Sequence, residues 1–222
     1  MKYKQYIVIG MGRFGQSVAK SLHNLGQDVL AVDSDEALID SIAPYVTHAV
    51  KTNAMDENSL TALGIGNFDV AVVTMGTDIQ SSILITMLCK EMGVKYVLAK
   101  AQNDLHRKVL ERIGADKVVF PERDMGQRVA HNLVASNVFD YVEITDDLSM
   151  LDIAATNDWI GKDLAGLNFR QKYGVNVIAI KKKGAPLNAS PYGGDVIERG
   201  DVLFVVGGKD SISKFESKCG LL

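Results

Sequence analysis

The run Gly10-Met11-Gly12-Arg13-Phe14-Gly15 is the strongest local sign of chemistry in the sequence. It follows an apolar stretch, Ile7-Val8-Ile9, and opens a segment with helical spacing. In that setting GxGxxG suits a phosphate. The first glycine allows a tight turn, the second lets the backbone approach the anion, and the third lets helix and strand pack closely. The phosphate would rest on unpaired N–H groups at the positive end of the helix dipole. Asp33 ends the next apolar stretch, where a carboxylate accepts hydrogen bonds from both ribose hydroxyls and repels a 2′-phosphate, which disfavours NADP. Glycines that only close a β-α turn and an acid that only ends a strand are the plain alternatives. The two signals together favour a nucleotide. Arg13 lies inside the turn, where a guanidinium could reach terminal phosphate oxygens through charge-assisted hydrogen bonds worth about 1.5–3 kcal/mol each. A solvated arginine on a first helical turn fits the composition equally well.

Other constellations are weaker. Tyr96 and Lys100 have the YxxxK spacing of short-chain dehydrogenases, but their segment reads as a strand, which separates them by roughly 13 Å, too far to share a proton. His23, His48, His106 and His131 lie far apart without metal-ligand spacing and read as surface or packing residues. No GxSxG, P-loop or Cys–His nucleophile pattern occurs. Lys181-Lys182-Lys183 reads as the solvated tip of a hairpin.

These residues need elements to hold them. Ile7–Ile9, Val29–Val32, His48–Val50, Val70–Thr74, Tyr96–Ala99 and Val118–Phe120 read as strands, several apolar at consecutive positions, as where both faces of a parallel sheet are covered. Helical spacing fills the gaps at Phe14–Leu25, Ala37–Ile42, Glu57–Leu63, Ile79–Met92 and Leu105–Ile113. Gly26, Gly64, Gly93 and Gly114 follow four of these helices at C-cap positions. The alternation predicts an α/β fold with a doubly wound parallel Rossmann sheet. Glu122–Ser136 reads as one amphipathic helix with Met125, Val129, Leu133 and Val134 as its apolar stripe. Strands then dominate, at Tyr141–Ile144, Leu151–Ala154, Val175–Ile180 and Val202–Val206, with helices only at Leu164–Gln171 and Ile212–Ser217. This predicts a small α+β module.

The chain has 222 residues, 47% of them hydrophobic and 23% charged, the balance of an ordinary globular protein. A net charge of -3 argues against a nucleic-acid partner. Cys89 and Cys219 are too few for a disulfide framework, no apolar run reaches membrane-helix length, and no signal peptide is evident. The expectation is a cytoplasmic protein.

In order and spacing, several stations resemble the RCK family (KTN, or TrkA-N plus TrkA-C), the cytosolic regulatory subunits of Ktr/Trk potassium uptake systems, and its KtrA-like members in particular. They are the glycine run, Ala31-Val32-Asp33-Ser34-Asp35, Thr52-Asn53-Ala54, Lys100-Ala101-Gln102-Asn103, Ile113-Gly114-Ala115-Asp116 and Phe120-Pro121-Glu122. Phe169-Arg170-Gln171-Lys172-Tyr173-Gly174 and Arg199-Gly200-Asp201 match the second module. Met11, where Leu is commoner, and Val73-Thr74-Met75-Gly76 are small departures.

The resemblance implies a nucleotide-binding RCK_N domain over residues 1–121, a connecting helix and linker over 122–140, and an RCK_C (TrkA-C) domain over 141–222. It implies ATP/ADP or NAD(H) on Gly10, Gly12, Arg13, Phe14 and Gly15. Asp33, Ser34 and Asp35 would hold the ribose, with Asn53 and Ala54 beside the adenine. Met75, Gly76 and Thr77 would line the cleft, and Lys100, Ala101, Gln102, His106 and Glu122 would close it. Glu122 is also implied as the ligand of a divalent cation, Mg or Ca. Cyclic di-AMP is implied in the second module, with Asn168, Arg170, Tyr173, Val177 and Pro191 as candidates. The implied protein is not an enzyme. ATP against ADP would switch a dimer-based, octameric ring held peripherally at the inner face of the cell membrane by a KtrB- or TrkH-like potassium-transporting subunit. A small NAD(H)-dependent oxidoreductase is the rival reading, sharing the glycine turn and Asp33 but lacking a convincing proton donor.

Overall fold

The computed structural model describes residues 4–76, 78–134, 138–145 and 147–219. The chain divides into two compact units, Met1–Glu122 and Arg123–Leu222. In the first unit strands and helices alternate as β1 (Gln5–Ile9), α1 (Arg13–Asn24), β2 (Asp28–Asp33), α2 (Glu36–Ile42), β3 (His48–Lys51), α3 (Glu57–Ala62), β4 (Val70–Val73), α4 (Ile79–Glu91), β5 (Tyr96–Lys100), α5 (Asp104–Arg112) and β6 (Lys117–Val119). The six strands form one parallel sheet in the order β3-β2-β1-β4-β5-β6. Chain order reverses between β1 and β4, and ligands of open α/β sheets bind in the crevice at such a switch point.

All four residues of β4, Val70-Ala71-Val72-Val73, are buried because helices cover both faces of the sheet. Ala19, Ile39 and Ile42 from α1 and α2 pack on one face, and Leu60, Ile85, Leu88 and Leu110 from α3, α4 and α5 pack on the other. Gly26, Gly64, Gly93 and Gly114 take φ of 75°, 66°, 91° and 100°, as their positions after the helices require. An apolar cleft of about 510 Å³ runs beside α1, walled by Tyr6, Phe14, Val18, Leu22 and Leu98. It reaches the starts of β4 and β5, at Val70 and Tyr96, and does not include Asp33 or the glycines.

Helix α6 (Pro121–Val134) carries the division between the units. The second unit continues with β7 (Val138–Glu143), β8 (Leu148–Ala154), α7 (Leu164–Leu167), α8 (Phe169–Tyr173), β9 (Val175–Lys181), β10 (Leu187–Asn188), β11 (Val202–Gly208) and α9 (Lys209–Lys218). Its antiparallel sheet has the order β10-β9-β11-β8-β7. Trp159 packs edge-on against Phe169 at 5.1 Å and stacks on Phe215 at 5.8 Å, at the centre of this unit's core. Such pairs add about 0.5–1.5 kcal/mol each beyond burial of their area.

Three sequence expectations are corrected here. The helix expected over Leu164–Gln171 is two short helices, because Asn168 takes the left-handed conformation at φ 49° and ends the first. Lys181-Lys182-Lys183 lies where β9 turns into β10, with Lys181 and Lys183 exposed as expected, and only Lys182 departs from the solvated reading. It donates to the Val196 carbonyl at 3.1 Å and pairs with Glu198 at 3.3 Å. The expected stripe on α6 is not covered, since Met125, Val129, Leu133 and Val134 are all exposed. Polar bonds hold the part of α6 that belongs to the second unit instead. Arg128 forms a two-armed pair with Asp140, and Asn132 donates to the same carboxylate at 3.1 Å. The end of that helix as expected, at Ala135 and Ser136, lies outside the described residues.

Candidate functional site

The turn after β1 is held from three sides. Gly10 donates its N–H to the Val32 carbonyl at 2.8 Å, which ties the turn to β2. The Thr74 hydroxyl donates to the Gly10 carbonyl at 2.6 Å, which ties it to the end of β4. The Gln16 amide donates to the Met11 carbonyl at 2.9 Å, closing the turn from α1. Gly10 has φ 97°, and a Cβ there would meet the Thr74 hydroxyl at 2.9 Å, so both backbone and space require glycine. A Cβ on Gly15 would run into the Gly10 carbonyl. Helix α1 therefore approaches β1 as closely as the sequence pattern predicts.

Gly12 differs from both. It begins α1 with φ -64°, and nothing lies within 4 Å of where its Cβ would stand. Asp35, Asp56, Asp78 and Asn103 cap the N-termini of α2, α3, α4 and α5 with their side chains. Among the described residues, α1 alone of these five has no side-chain cap and no acid in its first turn. The space beside Gly12 is open at the positive end of the dipole, the arrangement an anion fills.

Asp33 stands beside this opening. One carboxylate oxygen accepts the Met11 N–H at 2.6 Å and the other accepts the Asp35 N–H at 2.9 Å. A carboxylate has about four acceptor positions, so two remain for ribose hydroxyls. Ser34 is exposed next to it, and the Asp35 side chain is occupied in capping α2 through the Ala37 N–H at 2.9 Å. Arg13 is exposed on the first turn of α1.

Across the switch point, the Lys100 ammonium is paired with the Glu122 carboxylate. It lies 6.0 Å from the centre of the Phe14 ring, and 3.3 Å from where a Cβ of Gly76 would stand. Phe14, Gly76, Lys100 and Glu122 thus come together at the carboxyl ends of β1, β4 and β5. Lys100 holds the Glu122 carboxyl below the usual glutamate range. Met75 packs against the core of the unit. Tyr96 and Lys100 stand at opposite ends of β5.

The remaining expected residues make the following contacts within the chain. The Asn53 side chain accepts the Met55 N–H at 3.0 Å in the turn after β3, and Ala54 is buried. Ala101 is buried and donates to the Val119 carbonyl. His106 is buried on the first turn of α5 and accepts the Gln102 N–H on Nδ1 at 3.3 Å. That bond fixes its proton on Nε2, and burial pushes its pKa down. Thr77 lies outside the described residues. In the second unit Asn168, Arg170 and Val177 share the wall of a depression of about 190 Å³, which does not include Tyr173 or Pro191. The Tyr173 ring packs on Phe215 at 5.2 Å.

The residues fit the two implied groups differently. The uncapped first turn, the open face of Gly12 and the pinned Asp33 fit a nucleotide. Glu122 does not by itself build a divalent site: its partner is an ammonium, and no group of three His, Cys, Asp or Glu gathers among the described residues. Sequence reasoning gave no role to Thr74 or Gln16, which hold the turn. A polar residue at the end of an otherwise apolar β4 was the available signal for Thr74. It also missed His131, which is paired with the buried Glu216 at 3.0 Å.

Fold and crevice together define a Rossmann-type module followed by a small antiparallel α+β module. The chain belongs to the family built from a TrkA-N domain, matched over residues 6–121, and a TrkA-C domain, matched over residues 148–220. It is 45% identical to the Ktr system potassium uptake protein C of Bacillus subtilis (strain 168) over 215 residues, 97% of each chain. It is 36% identical to the Ktr system potassium uptake protein A of Vibrio alginolyticus over 210 residues, 95% of each. The GsuK RCK domain crystal structure is similar in fold, with a TM-score of 0.69 at 15% identity, covering 99% of this chain and 48% of that one.

Proposed function

We propose that this chain is a non-enzymatic regulator, the cytosolic subunit of a potassium uptake system, and that it responds to an adenine nucleotide. The observation that carries nucleotide binding is the uncapped first turn of α1 at Gly12, with Asp33 beside it. Likeness over nearly full length to proteins named for Ktr potassium uptake supports the transport role.

In this reading the first-turn N–H groups of α1 receive a phosphate, and Asp33 takes the ribose hydroxyls. Arg13 and Lys100 supply positive charge for terminal phosphates, so ATP and ADP are held with different strength. NAD(H) fits the same Gly and Asp framework. Occupancy can shift the protein only by its difference in affinity for two conformations. ATP and ADP are therefore proposed to favour different shapes of a dimer-based ring, which passes the change to a KtrB- or TrkH-like membrane subunit. The depression holding Asn168 and Arg170 favours a second, anionic ligand in the C-terminal unit, with cyclic di-AMP as the candidate.

The oxidoreductase reading is weaker because it needs a proton donor beside a nicotinamide, and Tyr96 stands at the far end of β5 from the crevice. Calorimetric titration of the purified protein with ATP, ADP, NADH and cyclic di-AMP, with oligomer mass measured in parallel, tests the proposal. Competition between ATP and ADP for one site per chain is expected. Failure of both to bind overturns it.

A further inference from the structure

Glu122 was implied as a metal ligand, and its observed partner is Lys100. Resting on the nucleotide reading above, we infer that Glu122 is a built-in stand-in for phosphate, holding the Lys100 ammonium until a polyphosphate displaces it. The two partners are unequal. The Lys100 side chain is 12% exposed, sunk between Gly76 and Phe14, whereas the Glu122 side chain is 70% exposed. The ammonium is fixed in the crevice and the carboxylate reaches it from outside.

A cation withdrawn this far from water needs a counter-ion, and Glu122 supplies one from the chain itself. A terminal phosphate arriving on the glycine turn brings more negative charge than one carboxylate, within reach of the same ammonium. Lys100 then changes partner and Glu122 is released. Release is cheap because the carboxylate is largely hydrated already and stays in the first turn of α6, where the helix dipole favours it. Glu122 is the second residue of α6, so the exchange alters the ion pair that ties this helix to the end of β5. Ligand charge is thereby read at the start of the helix that carries the division between the two units.

The test is calorimetric titration of wild type, Glu122→Gln and Lys100→Met with ATP, ADP and adenosine, in EDTA and again with magnesium. Glu122→Gln removes the competing charge and keeps the shape. In EDTA it should tighten ATP about two- to five-fold, ADP less, and adenosine not at all. Lys100→Met should weaken ATP and remove the effect of Glu122→Gln in the double variant. If wild type binds ATP and Glu122→Gln binds it equally or more weakly in EDTA, the exchange is overturned and the nucleotide reading stands. If wild type binds no nucleotide, both fall. Circular dichroism melts of each variant establish that the fold is retained.

Discussion

Asp33, at the end of β2, accepts the backbone N–H of Met11 at 2.6 Å across 22 positions of sequence. One carboxylate therefore shapes the glycine turn and presents its remaining acceptor positions to whatever the turn holds.

Asp33→Asn tests both roles. The Asn oxygen can still accept from Met11, but its NH₂ then faces the Asp35 N–H, donor against donor. Nucleotide affinity should fall by about tenfold or more, roughly 1.4 kcal/mol or above, with a smaller loss of thermal stability. Calorimetry and a melt on the same sample check it. Unchanged affinity would mean that Asp33 serves the turn alone.

Gly12 and Gly15 should separate binding from folding. A methyl at Gly12 meets open space, so Gly12→Ala should change stability by no more than about 1 kcal/mol while blocking the approach of phosphate. A methyl at Gly15 meets the Gly10 carbonyl and the Thr74 hydroxyl at 2.7 Å, so Gly15→Ala should cost about 2 kcal/mol or more. Urea unfolding followed by circular dichroism, beside ATP titration, reads both quantities. Full binding by Gly12→Ala would place the anion elsewhere.

If the exposed guanidinium on the first turn of α1 reaches a terminal phosphate, as proposed above, Arg13→Ala should weaken ATP more than ADP. Titrations with the two nucleotides at fixed salt decide it. Equal losses would assign Arg13 to a phosphate that ATP and ADP share.

The C-terminal unit has its own acid–base feature in His131 and Glu216, 3.0 Å apart. Burial pushes the Glu216 carboxyl above the usual glutamate range, against the opposing pull of His131. A raised folded value means a contribution to stability that is present below the ordinary glutamate range and lost as pH rises through the raised one. Glu216→Gln escapes that loss, so its stability relative to wild type should improve as pH rises above the ordinary glutamate range. The single tryptophan, Trp159, lies in the core of this unit and reports its unfolding by fluorescence. A difference that stays flat or narrows with rising pH would contradict the burial argument.

Local signals carried much of this molecule. The alternation of apolar runs with helical spacing appears as the parallel sheet, with β4 ending one residue before the expected Thr74. That threonine keeps its backbone bond to the Ile9 carbonyl, and its hydroxyl donates to the Gly10 carbonyl, a bond made across 64 positions. Asn168 broke a helix that its apolar neighbours suggested, although Asn is among the residues that tolerate left-handed backbone. His131 and Glu216 gave no signal at all, being far apart in sequence and individually unremarkable.

By itself the sequence determined what depends on neighbouring residues. It set the strands and helices through their periodicity, the helix ends through glycine, and the phosphate-shaped turn through three glycines at fixed spacing. Only the tertiary structure decided which charges meet. Lys100 on Glu122, Arg128 on Asp140 and His131 on Glu216 come from different elements. A charge has no periodicity to betray its partner, and the partner is selected by how the packed elements bring side chains into reach.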